Sequence, residues 1–181
     1  MAATVYLAFC AYSPEECKAS EAEKHAREAL KLKKDFGAAR NTLGVSLVHQ
    51  RRFDDAITVL RPLTEDMVYA TPELAWGNLG WAYLEKGDAD QAIVSLKRAV
   101  ALQPDFCLGN HRLGLAYEKK GDLPSAKKAL SAALETNYPQ CQSFPEALET
   151  RARVLGRLGD ASGARADLER CVKSGGGTPT G

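Results

Sequence analysis

Apolar residues recur along this chain at the spacing of an α-helix. Leu79 and Tyr83 lie four positions apart, and Leu96, Ala99 and Leu102 follow at intervals of three, with charged residues between them. Side chains three or four positions apart share one face of a helix, whereas a strand would alternate apolar and polar residues. The pattern therefore predicts amphipathic helices and an all-α fold.

Three short breakers of the form Xaa-Gly-Asp interrupt the helical pattern. Glycine can adopt the left-handed conformation that ends a helix, and an aspartate side chain can accept the free N–H groups at the start of the next one. Each breaker therefore predicts the turn between two helices. The breakers are Lys86-Gly87-Asp88, Lys120-Gly121-Asp122 and Leu158-Gly159-Asp160.

Two irregular stretches indicate where further helices begin. Thr71 suits an N-cap and Pro72 the first helical position. Ser143 and Glu146 have the spacing of a capping box around Pro145. The sequence thus predicts helices that begin near residues 72 and 145.

A pair of small residues twelve positions apart occurs five times. Successive pairs begin 34, 36, 34 and 38 positions apart, so a unit of about 34 residues is repeated five times. We predict about five helix-turn-helix repeats with close helix crossings at the small residues, forming one array over residues 1–174, followed by a flexible glycine-rich tail, 175–181. The repeats are predicted at about 3–36, 37–72, 73–106, 107–144 and 145–174, with the pairs Cys10/Ala22, Gly44/Ala56, Gly80/Ala92, Gly114/Ala126 and Ala152/Ala164.

Charge and composition argue against several classes of function. The chain has 24 basic and 23 acidic residues without clustering of either sign, which argues against binding to nucleic acid or to an anionic membrane. No apolar run approaches the roughly 20 residues of a membrane-spanning helix. His25, His49 and His111 fall in different repeats and no HExxH or CxxC motif occurs, so we expect no catalytic residues, no metal site and no cofactor.

The five cysteines leave more than one arrangement open. Cys10 and Cys107 fall where helices pack and suit small apolar fillers, while Cys17 is either free or paired with Cys10. In an antiparallel hairpin the start of the first helix lies beside the end of the second, which places Cys141 near Cys171. These two form a candidate disulfide, and such a bond would indicate an oxidising compartment.

The residues at this period resemble the tetratricopeptide repeat (TPR) over almost the whole chain. The third unit fills every diagnostic position of that repeat. The resemblance implies an α-α superhelix, or TPR solenoid, in which the first helix of each repeat lines a concave groove that binds a peptide or helix of another protein. The matching residues are Trp76, Leu79, Gly80, Tyr83, Gly87, Ala92, Leu96, Ala99 and Pro104.

The repeat pattern then assigns residues to the groove. Trp81 is the first candidate for anchoring a partner, since tryptophan is enriched at binding hot spots; the alternative is that it packs against a neighbouring repeat. Trp76 occupies a position that is structural in the family and is predicted to be core. The predicted groove residues are Asn41, Val45, His49, Leu74, Trp81, Leu84, Leu108, His111 and Leu115, accompanied by Glu85, Glu118, Glu149, Arg153 and Arg157.

A more specific resemblance covers roughly residues 39–174. The segments 39–44, 52–56, 66–73 and 78–80 resemble the pilotins of type IV pilus systems, outer-membrane lipoproteins of the Tgl, PilF and PilW type. That resemblance implies a non-enzymatic protein at the periplasmic face of the outer membrane that promotes assembly of secretin subunits. The alternative is a cytoplasmic adaptor that binds a peptide or helix of a different protein.

The beginning of the chain departs from such lipoproteins. They start with a signal peptide that ends at a lipidated cysteine, whereas this sequence begins Met1-Ala2-Ala3-Thr4 without a basic region. Leu7-Ala8-Phe9-Cys10 only partly resembles a lipidation motif, so Cys10 is predicted to lie in a helix from Thr4 to Tyr12. A lipid anchor, a signal peptide and a first repeat are expected only in a full-length precursor.

Overall fold

The computed structural model describes residues 18–174, and within that range the fold is all-α, as predicted. The helix predicted for Thr4–Tyr12, the candidate pairing of Cys10 with Cys17 and the tail 175–181 lie outside the described residues. Ten helices occupy the described range: α1 (Ala19–Leu32), α2 (Gly37–His49), α3 (Phe53–Thr64), α4 (Pro72–Lys86), α5 (Ala89–Leu102), α6 (Cys107–Lys120), α7 (Leu123–Leu134), α8 (Pro139–Gln142), α9 (Pro145–Arg157) and α10 (Ala161–Lys173).

The chain forms two compact units, Met1–Ala99 and Val100–Gly181, and the boundary between them falls within α5. In the first unit, α2 packs against α1 and α3, and α4 packs against α3 and α2. The interior of this unit includes leucines of α2 and α3, such as Leu47, Leu60 and Leu63, which have no exposed surface. Burying these apolar side chains is the main stabilising contribution to such a unit.

The second unit contains two helical hairpins. Helix α6 packs against α7, α9 packs against α10, and α9 also contacts both α7 and α6. One part of its core joins Leu130 and Val154, and another joins Leu148 and Cys171. Helix α9 is therefore the central element of this unit.

The predicted Gly-Asp breakers form the turns between helices. Gly87, Gly121 and Gly159 have φ of +94°, +81° and +83°, the left-handed conformation that costs glycine little. The aspartate side chains that follow each accept a backbone N–H three residues on, at distances of 2.9–3.1 Å. The sequence prediction of these helix ends is confirmed.

The small residues allow close approach, as predicted. A Cβ atom added at Gly80 would lie 2.5 Å from Leu96 Cγ, and one added at Gly114 would lie 2.5 Å from Leu130 Cγ. Gly44 faces Leu60 in the same way. In each case the glycine admits a leucine located sixteen positions further along the chain, so a larger residue would push the two helices apart.

The helix start at Pro145 is correct, but its predicted capping box is not. Phe144 occupies the N-cap position and makes no side-chain capping bond. The Ser143 hydroxyl instead donates to the carbonyl of Pro139 at 2.9 Å, because residues 139–142 form the separate short helix α8. Helix α4 begins at Pro72, as predicted, although Thr71 provides no side-chain cap.

The predicted disulfide between Cys141 and Cys171 is wrong. Cys141 is bonded to Cys107, with 5.8 Å between their Cα atoms, and Cys171 is a buried free thiol. The hairpin geometry itself holds, since Cys171 Sγ lies 3.8 Å from the carbonyl oxygen of Pro145. Cys141 falls outside this hairpin, because it belongs to the short helix α8, which precedes α9.

Candidate functional site

The first unit presents a face centred on Trp81. The rings of Trp81 and His49 lie edge to face with centroids 5.0 Å apart, which joins α4 to α2. Trp81 Nε1–H donates to Glu85 at 3.2 Å, and Asn78 donates to the side-chain oxygen of Asn41 at 3.0 Å. We call these five residues the Trp81 face.

Trp81 is half-buried: its ring packs against His49 of α2, and part of the side chain remains accessible to solvent. Val45 and Leu74 are also half-buried. Leu84 is wrongly assigned to the groove: it is buried in the interior and offers no surface to a partner.

The second unit divides its predicted groove residues differently. Leu108 is exposed and Leu115 is half-buried, so both remain candidates for contact with a partner. His111 is only 7% exposed and packs edge to face against Phe144, with ring centroids 5.0 Å apart. His111 is therefore an interior residue in this structure, and its assignment to the groove is wrong.

The hydrogen bonds of His111 indicate which ring nitrogen carries the hydrogen. Thr150 donates its hydroxyl hydrogen to the carbonyl of Glu146 at 2.7 Å, so its oxygen accepts from Nε2–H of His111 at 3.2 Å. Among the described residues Nδ1 has no hydrogen-bond partner. Burial, reinforced by the charges of Arg112 and Arg153, lowers the pKa of His111 to about 4.

Beside His111, two arginines of α9 converge on one carboxylate of α6. Arg153 donates through Nε and Nη2 to the two oxygens of Glu118, both at 2.8 Å, and Arg157 reaches the same carboxylate at 3.5 Å. The hydrogen bond from Arg153 is the main reason that the pKa of Glu118 lies below its usual value. Sequence reasoning placed these three residues on one face but did not predict their pairing.

A second surface feature of the first unit was not predicted. An open cleft of about 580 Å³ lies among α3, α4 and α5. Trp76, expected to be core, is half-buried and lines this cleft, where the Arg61 guanidinium donates to the hydroxyl of Tyr83. The prediction for Trp76 relied on its position in the repeat, and that position does not determine how completely neighbouring side chains cover the Trp76 ring.

Residues 18–174 contain neither a candidate metal site nor a helix suited to span a membrane. No group of three or more His, Cys, Asp or Glu side chains in that range could hold a metal ion. None of the helices in the described part of the chain has the length and apolar character required to cross a bilayer.

Comparison with known families identifies the repeat. A tetratricopeptide repeat model matches residues 18–65 and 111–179, which together exceed half of the chain, and a TPR repeat model matches residues 80–121. The chain belongs to the tetratricopeptide repeat family. Proteins of this family bind protein partners and generally act as scaffolds without catalysis.

Curated relatives share repeats rather than their whole length. The chain is 30% identical over 112 residues to the tetratricopeptide repeat-containing protein trd-1 of Caenorhabditis elegans, covering 61% of this chain and 14% of that protein. It is 40% identical over 58 residues to the TPR repeat-containing protein PA0015 of Pseudomonas aeruginosa, covering 32% of this chain and 55% of that protein. The chain thus spans well under two thirds of either relative.

Solved structures share the fold. PilW, described as a widely conserved type IV pilus biogenesis factor, has a TM-score of 0.75 at 20% identity, covering 98% of this chain and 80% of that one. PilF of Pseudomonas aeruginosa has a TM-score of 0.71 at 17% identity, covering 97% and 76%. A crystal structure of MamA has a TM-score of 0.71 at 20% identity, covering 91% and 92%. At these identities the likeness establishes the fold alone.

Proposed function

We propose that this TPR protein is a periplasmic assembly factor of a type IV pilus system, which binds secretin subunits through the first helices of its repeats and promotes their assembly. The observation that carries the proposal is the Cys107–Cys141 disulfide. Structural disulfides persist in oxidising compartments such as the periplasm and are rare in the cytosol. A cytoplasmic adaptor would keep these thiols reduced.

The pilus assignment has two further lines of support. The sequence resembles pilotins over residues 39–174, including the lengthened junction between α3 and α4. The fold is like that of PilW and PilF over nearly the whole of this chain. Many TPR proteins share this fold, so the choice of secretin as partner rests on the resemblance of these segments.

Trp81 is the proposed anchor in the first unit. Its ring packs on His49 and its indole N–H is held by Glu85, so the side chain has a defined orientation before a partner binds. Large aromatic side chains held in this way lose little conformational entropy on binding. The Asn41–Asn78 pair beside it offers further polar groups to a bound peptide.

Two experiments test this function. Thiols counted after denaturation, in protein isolated from its native host, should include Cys171 but neither Cys107 nor Cys141. Capture of the protein from an envelope extract should retain a secretin. Reactive Cys107 and Cys141 would favour the cytoplasmic adaptor, and capture without a secretin would overturn the pilus role.

The anchor is tested by Trp81→Ala, with Leu32→Ala as the control. Leu32 is an almost fully exposed leucine at the end of α1 and is remote from the Trp81 face in sequence. Loss of a hot-spot tryptophan lowers affinity by roughly thirtyfold or more, whereas the control should bind as wild type. Unchanged affinity in Trp81→Ala, or a large fall in its melting temperature, would refute the assignment.

A further inference from the structure

The second unit carries an ion-pair cluster in which two exposed arginine side chains contact a single carboxylate. Arg153 and Arg157 both contact Glu118, and their side chains are 53% and 49% exposed, whereas that of Glu118 is 12% exposed. The carboxylate is thus covered by two guanidinium groups that themselves face solvent. Leu115 lies one helical turn before Glu118 on α6. We call these four residues the arginine face.

Most of the hydrogen-bond donors on this face remain available. A guanidinium has five N–H groups. Arg153 uses two of them on Glu118, and Arg157 makes a single contact at 3.5 Å, the outer limit of a hydrogen bond. The two arginines therefore hold one carboxylate and can accommodate a second.

Other charged groups near this face do not remove its positive character. Glu149 attracts Arg153, but its carboxylate accepts the thiol hydrogen of Cys171 at 3.6 Å, on the side of α9 that packs against α10. Arg112 acts electrostatically on the adjacent His111, as Arg153 does. On the face itself two arginines share the carboxylate of Glu118, which leaves one net positive charge.

A buried ion pair on the same helix shows how a purely structural arginine differs. Arg151 donates through Nε and Nη2 to Asp167, both at 2.7 Å, and its Nη1 donates to Ser131. The side chains of Arg151 and Asp167 are only 11% and 4% exposed, and the pair ties α9 to α10. Arg151 and Arg153 make the same two-pronged contact with a carboxylate, but only Arg153 can reach a partner.

The helix that carries Glu118 also presents apolar side chains with exposed surface. Leu108 and Leu115 lie two turns apart on one face of α6, the first exposed and the second half-buried. An acidic side chain and an apolar side chain of one bound segment could therefore be accommodated together. Both kinds of contact belong to the second unit.

We propose that the arginine face binds an acidic, leucine-bearing segment of a protein partner. A partner carboxylate engages Arg157 and the open donors of Arg153, and an apolar side chain packs beside Leu115. Glu118 contacts both arginines while the partner is absent and yields Arg157 readily, because that contact is at the 3.5 Å limit of a hydrogen bond and the Arg157 side chain is half exposed. The inference deepens the proposed function, since it rests on the chain being a protein-binding scaffold.

Synthetic peptides of equal length provide the probe. Each carries leucine at every fourth position. The intervening residues are all glutamate in one peptide, all glutamine in the second and all lysine in the third. The full chain is titrated with each peptide. Binding is measured by calorimetry at low and high salt and by the arginine Nε–H signals in NMR. We expect the glutamate peptide to shift Arg153 and Arg157 but leave Arg151 unmoved, with affinity that falls as salt rises.

Variants make the prediction specific. Arg157→Gln should weaken binding of the glutamate peptide at least about fivefold, as expected for loss of a charged hydrogen-bond partner. Arg27→Gln is the matched control, because Arg27 is an equally exposed arginine paired with Glu23 in the first unit. Glu118→Gln should tighten binding severalfold by removing the internal competitor. Melting temperatures of the three variants establish that each is folded.

Three results would overturn the inference: shifts confined to other arginines, equal binding of the glutamine peptide, or equal losses in Arg157→Gln and Arg27→Gln. The outcome is separable from the pilus assignment. Binding of the glutamate peptide without capture of a secretin would leave the arginine face intact and remove the pilus role. Capture of a secretin to the same extent by wild type and by Arg157→Gln would leave the pilus role intact and remove the arginine face.

Discussion

Loss of the Cys107–Cys141 disulfide should destabilise the second unit substantially. The bond closes a loop with a sequence separation of 34 residues. In the chain-entropy model a loop of that length restricts the unfolded chain by about 4 kcal/mol at 25 °C. With a urea m-value of about 1–3 kcal/mol per molar, the midpoint of unfolding should fall by about 1 M or more on reduction.

The assay is urea unfolding followed by circular dichroism, with and without a reductant. Wild type and Cys171→Ala should both lose stability on reduction. Cys107→Ala should unfold at the lower midpoint under both conditions. Since every variant retains Cys10 and Cys17, any contribution from those two is common to all measurements.

The same three proteins discriminate between the two pairings. If Cys141 were bonded to Cys171, the response to reductant would disappear in Cys171→Ala and persist in Cys107→Ala. That pattern would refute the pairing in the structure. A midpoint in wild type that does not change on reduction would refute the reasoning about loop closure.

Two further predictions concern packing and protonation in the second unit. Gly114→Ala should lower the free energy of unfolding by about 1–3 kcal/mol, because the new Cβ would meet Leu130. At Gly156 a new Cβ meets nothing within 4 Å, so Gly156→Ala should stabilise α9 by about 0.5–1 kcal/mol. Urea midpoints measure both effects, and equal shifts would contradict the packing argument. His111 has its folded-state pKa lowered from 6.5 to about 4, so its contribution is fully present above pH 6.5 and is lost as the pH falls towards 4, by about 3 kcal/mol. Over that range the urea midpoint of wild type should fall further than that of His111→Gln, which lacks the titrating group, while His25→Gln retains the wild-type response. Parallel curves for wild type and His111→Gln would contradict the assignment.

Local features of the fold could be predicted because they depend on neighbouring residues in the sequence. The left-handed conformation at Gly87 requires only a glycine after a helix, and the cap at Asp122 requires only an N–H three residues on. The repeated small residues indicate a close helix crossing at Gly80, although the side chain that the glycine admits is Leu96, sixteen positions on, and not Ala92, twelve positions on. Each of these signals lies within one repeat.

Contacts that depend on irregular segments could not be predicted in this way. Cys141 pairs with Cys107 because a four-residue helix, α8, intervenes before α9, and nothing in the periodic pattern indicates that helix. His111 is buried because Phe144, from the same irregular segment, covers its ring. The buried pair of Arg151 and Asp167 was missed because both residues look like ordinary surface charges in the sequence.

The repeat period nevertheless contains a signal for contacts between helices. Contacts at both faces join residues separated by about one repeat: Asn41 and Asn78 are 37 positions apart, and Glu118 and Arg153 are 35 apart. Residues on the first helices of successive repeats become neighbours, at separations close to one repeat, when those helices pack together.

This relation has a consequence for how each face works. A side chain in one repeat is oriented by a residue on the first helix of the adjacent repeat, as Glu118 orients Arg153 across α6 and α9. The geometry of each face then belongs to a pair of repeats within one unit rather than to any single repeat. Substituting Glu118 should therefore alter the arginines of α9, although they lie 35 and 39 positions away, and should leave Trp81 in the first unit unaffected.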